Sequence, residues 1–156
     1  PGPVEIDVAP SVVVGDPTML ERALSNLVSN ADKFSPPGAP VTIITADGEV
    51  RVRDSGPGIP VEDRARVFDR FYRSEVTRSM PGSGLGLSIV AQIVHRHGGV
   101  VWASEAEGGG AEVGFRLQVA PAGAVEASDA SATSSSSDAS SPSSGSVSGG
   151  DATSSS

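Results

Sequence analysis

Cysteine is absent from this 156-residue chain, lysine occurs once, and aromatic residues make up only 4% of it. Without cysteine there is no disulfide framework, no thiolate nucleophile and no Cys-ligated zinc or iron–sulfur site, which suits a reducing compartment. No apolar run approaches the roughly 18 residues of a membrane span, and no signal-peptide pattern precedes the first expected strand. Positive charge is scarce as well. Eleven Lys and Arg stand against 19 Asp and Glu, a formal net charge of −8, which is a poor match for the phosphate backbone of nucleic acid.

The C-terminal end is poorest of all. Residues 121–156 contain 15 Ser, four acids, no Lys or Arg and no aromatic, and their only apolar side chains larger than Ala are Val125 and Val147. Such a segment cannot bury enough surface to offset its ordering entropy, so a disordered acidic tail is expected there. That leaves one domain over residues 1–120, carrying all 11 basic residues and a net charge of −4. The chain opens on Pro1-Gly2-Pro3 rather than Met, and is expected to be a piece of a longer protein.

Periodicity gives the organisation of that domain. Val4, Ile6 and Val8 alternate with polar residues and Val12-Val13-Val14 follows a proline, which predicts two short strands. Asp16-Pro17 has the form of a helix cap followed by proline in the first turn. Leu20, Leu24, Leu27, Val28 and Ala31 share one stripe, and Pro36-Pro37-Gly38 ends the helix near Phe34. Strands at 41–46 and 50–53 flank Asp47-Gly48, a dipeptide suited to a primed hairpin turn. A short helix from Pro60 to Val67-Phe68, a mobile loop over 69–84, a third helix from Leu85 to Arg96, and strands at 100–103 and 113–119 across Gly108-Gly109-Gly110 complete the reading. Helices alternating with strand pairs fit an α+β, two-layer α/β sandwich better than a doubly wound parallel sheet.

Four clusters could carry chemistry. Asn26, Asn30 and Lys33 fall within about 60° on the first helix, opposite its apolar stripe. Two carboxamides and an ammonium can hold an anion and a hard metal counterion; a solvated helix face gives the same pattern. Asp54 ends a strand before a turn with Gly56 and Gly58, where a carboxylate can accept from an amino group or simply form the turn. Gly82-Ser83-Gly84-Leu85-Gly86-Leu87 runs straight into a helix, offering free N–H groups to a phosphate, or serving as a hinge. Its spacing matches neither the Walker loop nor the Rossmann fingerprint. Phe68-Asp69-Arg70-Phe71-Tyr72-Arg73 holds three of the six aromatics in five positions; its rings suit a satellite core, whereas Arg73 and Arg78 are freer to reach a ligand. His95 and His97, in the last turn of the third helix, have no triad-like partners and are taken as structural.

In order, these segments resemble the catalytic, ATP-binding domain of bacterial sensor histidine kinases, a branch of the superfamily that includes DNA gyrase and the heat-shock chaperone ATPases. Asn26 to Phe34 matches the family's N box, Asp54-Ser-Gly56-Pro-Gly58 its first glycine box, Phe68-Asp-Arg-Phe71 its F box and Gly82-Ser-Gly84-Leu85-Gly86 its second glycine box. The resemblance covers roughly residues 12–119 and implies a mixed sheet of about five strands under three helices. It implies ATP and Mg²⁺ as ligands, with Asn30, helped by Asn26, on the metal, Lys33 on a phosphate and Phe34 beside the adenine. Asp54 would accept from the adenine amino group, and Gly82, Gly84 and Gly86 would let a lid close on the triphosphate. Arg73 and Arg78 are its candidates for the γ-phosphate.

One departure matters. The family phosphorylates a His followed by an acid on a separate helical domain, and here His95 precedes Arg96 and His97 precedes Gly98. The resemblance therefore implies an acceptor on an upstream dimerisation domain, a response regulator as further partner, a monomeric isolated domain in the cytoplasm, and a membrane link only through parts outside this chain. Two alternatives stay open: a stand-alone Ser kinase or ATPase of the same fold, and a nucleotide-sensing module without chemistry.

Overall fold

The structure is a computed structural model that describes residues 2–121. The expected tail, from residue 122 on, lies outside the described residues. Strand β1 is Val4–Val8, helix α1 Pro17–Phe34, β2 Val41–Ala46, β3 Glu49–Arg53, α2 Gly86–Arg96, β4 Val100–Glu105 and β5 Ala111–Arg116. The five strands form one mixed sheet in the order β1-β2-β3-β5-β4, with β1 parallel to β2 and the other pairs antiparallel.

Local chemistry sets the element ends. Asp16 caps α1, its carboxylate accepting from the N–H of Thr18 at 2.9 Å and of Met19 at 3.2 Å. The helix stops where Ser35 turns extended before Pro36. Loss of such a cap typically costs about 1 kcal/mol. Asp16→Ala is therefore expected to lower the melting temperature by a few degrees, which calorimetry can check; an unchanged transition would show that the cap contributes nothing. At the β2–β3 hairpin, Asp47 and Gly48 both take positive φ, 50° and 77°, the primed turn that matches strand twist.

Both helices cover one face of the sheet. Ala23, Leu27 and Ala31 of α1 and Val90, Ile93 and Val94 of α2 bury against Val41, Val52, Val113 and Phe115. The alternate residues of the strands face away from the helices and pair across the sheet: Arg53 Nε donates to Glu112 at 2.6 Å, and Arg116 pairs with Glu49. One strip of the helix-side face is left bare. Val4, Ile6 and Val8 of β1 are all exposed, since α1 sits over β2, β3 and β5.

The sheet and the α+β sandwich agree with expectation, with four local differences. Two α-helices cover the sheet rather than three, because the segment after Pro60 forms two 3₁₀ turns, Val61–Asp63 and Arg66–Phe68. Side chains there bond sideways, Arg64 Nε to the Ile59 carbonyl at 3.1 Å and Tyr72 Oη to Asp63, instead of supporting a continuous helix. The stretch 69–84, read from sequence as a loop, contains a further 3₁₀ turn, Glu75–Thr77. The strand expected at Val12–Val14 is reduced to a single bridge between Val13 and Val119, while the last strand runs Ala111–Arg116 rather than 113–119.

Candidate nucleotide site

A cavity of about 400 Å³ opens between α1, the end of β3, the loop before α2 and the first turn of α2. It gathers Asn26, Asn30, Lys33, Phe34, Asp54, Gly58, Arg73, Gly82, Gly84, Leu85 and Gly86 from the sequence candidates. Gly56 and Arg78 are not in the wall. Gly56 acts from behind it, and Arg78 is exposed, close enough for its charge to act on Tyr72.

Asp54 is the most constrained of these residues. It is only 8% exposed. One carboxylate oxygen, Oδ1, accepts from the N–H of Gly56 and of Ala111, both at 2.9 Å. Among the described residues no donor reaches Oδ2. The side chain is thus held by one oxygen, and Asp54 shares the cavity wall with the apolar Ile59, Val67, Ile89 and Ala111. The glycine turn between β4 and β5 makes this possible: Gly110 has φ 92°, and a Cβ there would collide with the Asp54 carbonyl.

The other end of the cavity is built for negative charge. Unlike α1, helix α2 begins with no side-chain cap, so its first N–H groups are left for a ligand or water. Asn26 Nδ2 donates to the Arg22 carbonyl at 2.8 Å, and its Oδ1 lies toward Gly86 at that helix start. The Lys33 ammonium sits 5.0 Å from the centre of the Phe34 ring and directly against Gly82. Burial, and then the charge of Arg73, hold Lys33 below its ordinary value of 10.5.

Arg73 reaches the cavity, but its guanidinium donates to the carbonyls of Thr77 (2.8 Å) and Met80 and so organises its own loop. The root of that loop is pinned. Tyr72 Oη donates to Asp63 at 2.5 Å, with the Arg66 guanidinium 4.4 Å above the ring, and Phe71 N–H donates to the Gly84 carbonyl at 3.1 Å from a backbone with φ 62°. The hydrogen bond to Asp63 is the leading reason the Tyr72 phenol is raised above its ordinary 10.0.

Residues 15–121 match the family model described as histidine kinase-, DNA gyrase B- and HSP90-like ATPase. The chain belongs to this ATPase family. It is 46% identical over 134 residues to the signal transduction histidine-protein kinase/phosphatase MprB of Mycolicibacterium vanbaalenii, covering 79% of this chain and 28% of that protein. For the protein of the same name in Mycolicibacterium smegmatis the figures are 49% over 111 residues, covering 68% and 23%. The chain spans about a quarter of the length of these curated relatives. Among solved structures, a mycobacterial sensor histidine kinase MprB aligns with TM-score 0.66 at 41% identity, covering 76% of this chain and 83% of that one. The ATP binding domain of PrrB from Mycobacterium tuberculosis aligns at 0.59 and 28%, covering 76% and 81%.

Within this ATPase domain, several wall residues carried no signal in the sequence. Ala111 holds Asp54 through its backbone N–H, which no residue type announces. Thr77 lines the cavity from the stretch read as a loop, and Val67 and Ile89 from segments read as helices. Sequence alone groups Tyr72 with the satellite aromatics; its hydroxyl bond to Asp63 is visible only in three dimensions.

The depressed Lys33 gives a pH prediction for the family's nucleotide. With Lys33 beside a phosphate, as the resemblance implies, protonated lysine would be favoured, so ATP affinity should be full below the lysine's value in the free chain and fall as pH rises through it. The fall should begin below 10.5, because burial and Arg73 disfavour the charge. Lys33→Arg stays charged and should stay flat across that window. Nucleotide titrations at rising pH decide it, and superimposable profiles would overturn the link.

Proposed function

We propose that the chain binds Mg²⁺·ATP, with adenine against Asp54 and the triphosphate between Lys33 and the start of α2, and delivers the γ-phosphoryl to a histidine on a separate dimerisation domain of a two-component sensor kinase. One observation carries the reading: a single cavity is lined by a carboxylate fixed through one oxygen, by apolar side chains, by an uncapped helix start and by a lysine. An adenine needs the first two of these and a polyphosphate the last two.

The donor set suits a metal that arrives with its nucleotide. Among the described residues no three His, Cys, Asp or Glu side chains cluster to hold a metal alone, whereas the Asn30 and Asn26 amides line the cavity, and Mg²⁺ is commonly held by few protein oxygens together with phosphates and water. Asn30, helped by Asn26, would hold it, and when bound it would supply neutralisation of charge on the β- and γ-phosphates. Lys33 adds a point charge beside them. Gly82 to Gly86 bring backbone N–H groups close, and Arg73 and Arg78 would turn to the γ-phosphate from the loop. In the transfer, the bond from the β,γ-bridging oxygen to phosphorus breaks as the acceptor imidazole nitrogen bonds the phosphorus. The protein's share is positioning and charge.

The acceptor is placed outside this chain on two grounds. His95 lies about 13 Å along α2 from the cavity end of the helix. His97 has both ring nitrogens engaged, Nδ1 with the Ile93 carbonyl at 2.7 Å and Nε2 with the Asp16 N–H at 3.0 Å. We assign residues 1–120 to the ATP-binding domain, working in the cytoplasm with a response regulator downstream; no helix among the described residues is long and apolar enough to cross a membrane.

The test mixes the full chain with Mg²⁺ and γ-labelled ATP, with and without a dimerisation domain from the parent protein. The chain alone should bind nucleotide without labelling itself, and acid-labile, base-stable label should appear on the added domain. Label on His95 or His97, or on serine without any partner, would overturn the reading, as would binding with no transfer to the added domain.

A further inference from the structure

Away from the nucleotide cavity, a groove of about 720 Å³ runs between α2, the 3₁₀ turn Arg66–Phe68 and β4. Its apolar floor is Phe68, Ala91, Val101 and Ala103, and Arg70 and His95 stand at its rim. One side of it is the outer edge of the sheet, since β4 pairs only with β5 among the described residues.

The backbone of that edge is unpaired at alternate residues. The Ala106 N–H donates to the Gly110 carbonyl at 3.1 Å, which fixes the ladder so that Val100, Trp102 and Ser104 bond inward to β5. By the alternation of an antiparallel pair, the N–H and C=O groups of Val101, Ala103 and Glu105 point outward. Sheet edges are normally protected by charge or proline. The sequence Val100-Val101-Trp102-Ala103-Ser104 has neither, and Val100 is 56% exposed.

The two edges of the sheet differ in charge. On β1 the apolar residues alternate with Glu5 and Asp7, which repel an acidic strand. Beside β4 the side chains are Arg64, Arg70 and His95 against Asp69 and Glu105. Arg64 reaches Glu105 at 3.9 Å, and among the described residues Arg70 has no ion-pair partner.

We propose that β4 is a docking edge for an extended acidic segment of a partner protein, which adds as a sixth strand, places its apolar residues over Val101 and Ala103, and sets its carboxylates against Arg70. Backbone pairing supplies the affinity and the groove the selectivity, as in other strand-addition complexes. The inference is independent of the proposed phosphotransfer, because no residue of β4 lines the nucleotide cavity.

The test titrates the full chain with an acetylated (Val-Glu)4 peptide and follows hydrogen exchange at Val101, Ala103 and Glu105, with fluorescence of the single tryptophan, Trp102, as a second readout. Protection confined to these amides is expected, and a (Val-Lys)4 peptide at the same concentration should give less. Arg70→Glu should weaken the acidic peptide by roughly fivefold, the scale of one exposed ion pair. Ala103→Pro removes an outward N–H, which an edge strand tolerates, and should abolish binding while ATP binding persists. If that variant fails to fold, the Arg70 variant and the basic peptide still decide the matter. No protection, equal protection by both peptides, or protection that grows with protein concentration without peptide, which would mark the edge as a contact between copies of this chain, would each overturn the proposal.

Discussion

Asn30→Ala is expected to abolish Mg²⁺-dependent nucleotide binding and leave the melting transition almost unmoved. The two halves of that outcome come from adjoining faces of one helix. Ala23, Leu27 and Ala31 anchor α1 in the core, while Asn30 is half-buried on the cavity side and alanine is the better helix former. Losing even an outer partner of a bound metal typically costs 10–100-fold, so losing a direct ligand should cost about 100-fold or more. Calorimetric titration with and without Mg²⁺ checks this, and the variant should match the parent chain once the metal is chelated. Unchanged binding of Mg²⁺·ATP would remove Asn30 from the metal.

The second large effect is expected at Asp54, and the geometry dictates which substitution is informative. Alanine would delete the acceptor for both Gly56 and Ala111 and confuse recognition with local unfolding. Asparagine keeps an oxygen for those two N–H groups and replaces the free Oδ2 with an amino group, a donor facing the adenine amino donor. Loss of a charged acceptor is worth about 1.5–3 kcal/mol, or roughly 10- to 150-fold in ATP affinity. GTP, with an acceptor at the equivalent position, should lose less, so the ATP-to-GTP ratio is the measurement. Equal losses for both nucleotides would make Asp54 a turn residue and nothing more.

Sequence carried the elements whose ends are written in local chemistry. Asp16-Pro17 and Pro36-Pro37 bracket α1 at Pro17–Phe34, Asp47-Gly48 turns the hairpin, and the glycine loop opens α2 at Gly86, one residue from the expected start. It failed where distant partners decide. Nothing near Val12–Val14 says that only Val13 will find Val119, and the Leu117 N–H bond to the Gly48 carbonyl lies beyond the last β5 residue without extending the strand. The site divides the same way. Motif positions were legible because they crowd into four short segments, yet the Arg73 bonds to Thr77 and Met80, and the absence of Arg78 from the wall, follow from how the intervening loop folds on itself.

The bare strand β1 bears on how the domain fluctuates. Every one of its residues is exposed, it sits at the end of the sheet, and its only strand partner among the described residues is β2. Local opening free energies track the buried contacts a segment would lose, so β1 is expected to exchange its amide protons sooner than the four strands beside it. No β1 residue lines the nucleotide cavity. An excursion confined to this edge would therefore leave the walls of the cavity in place.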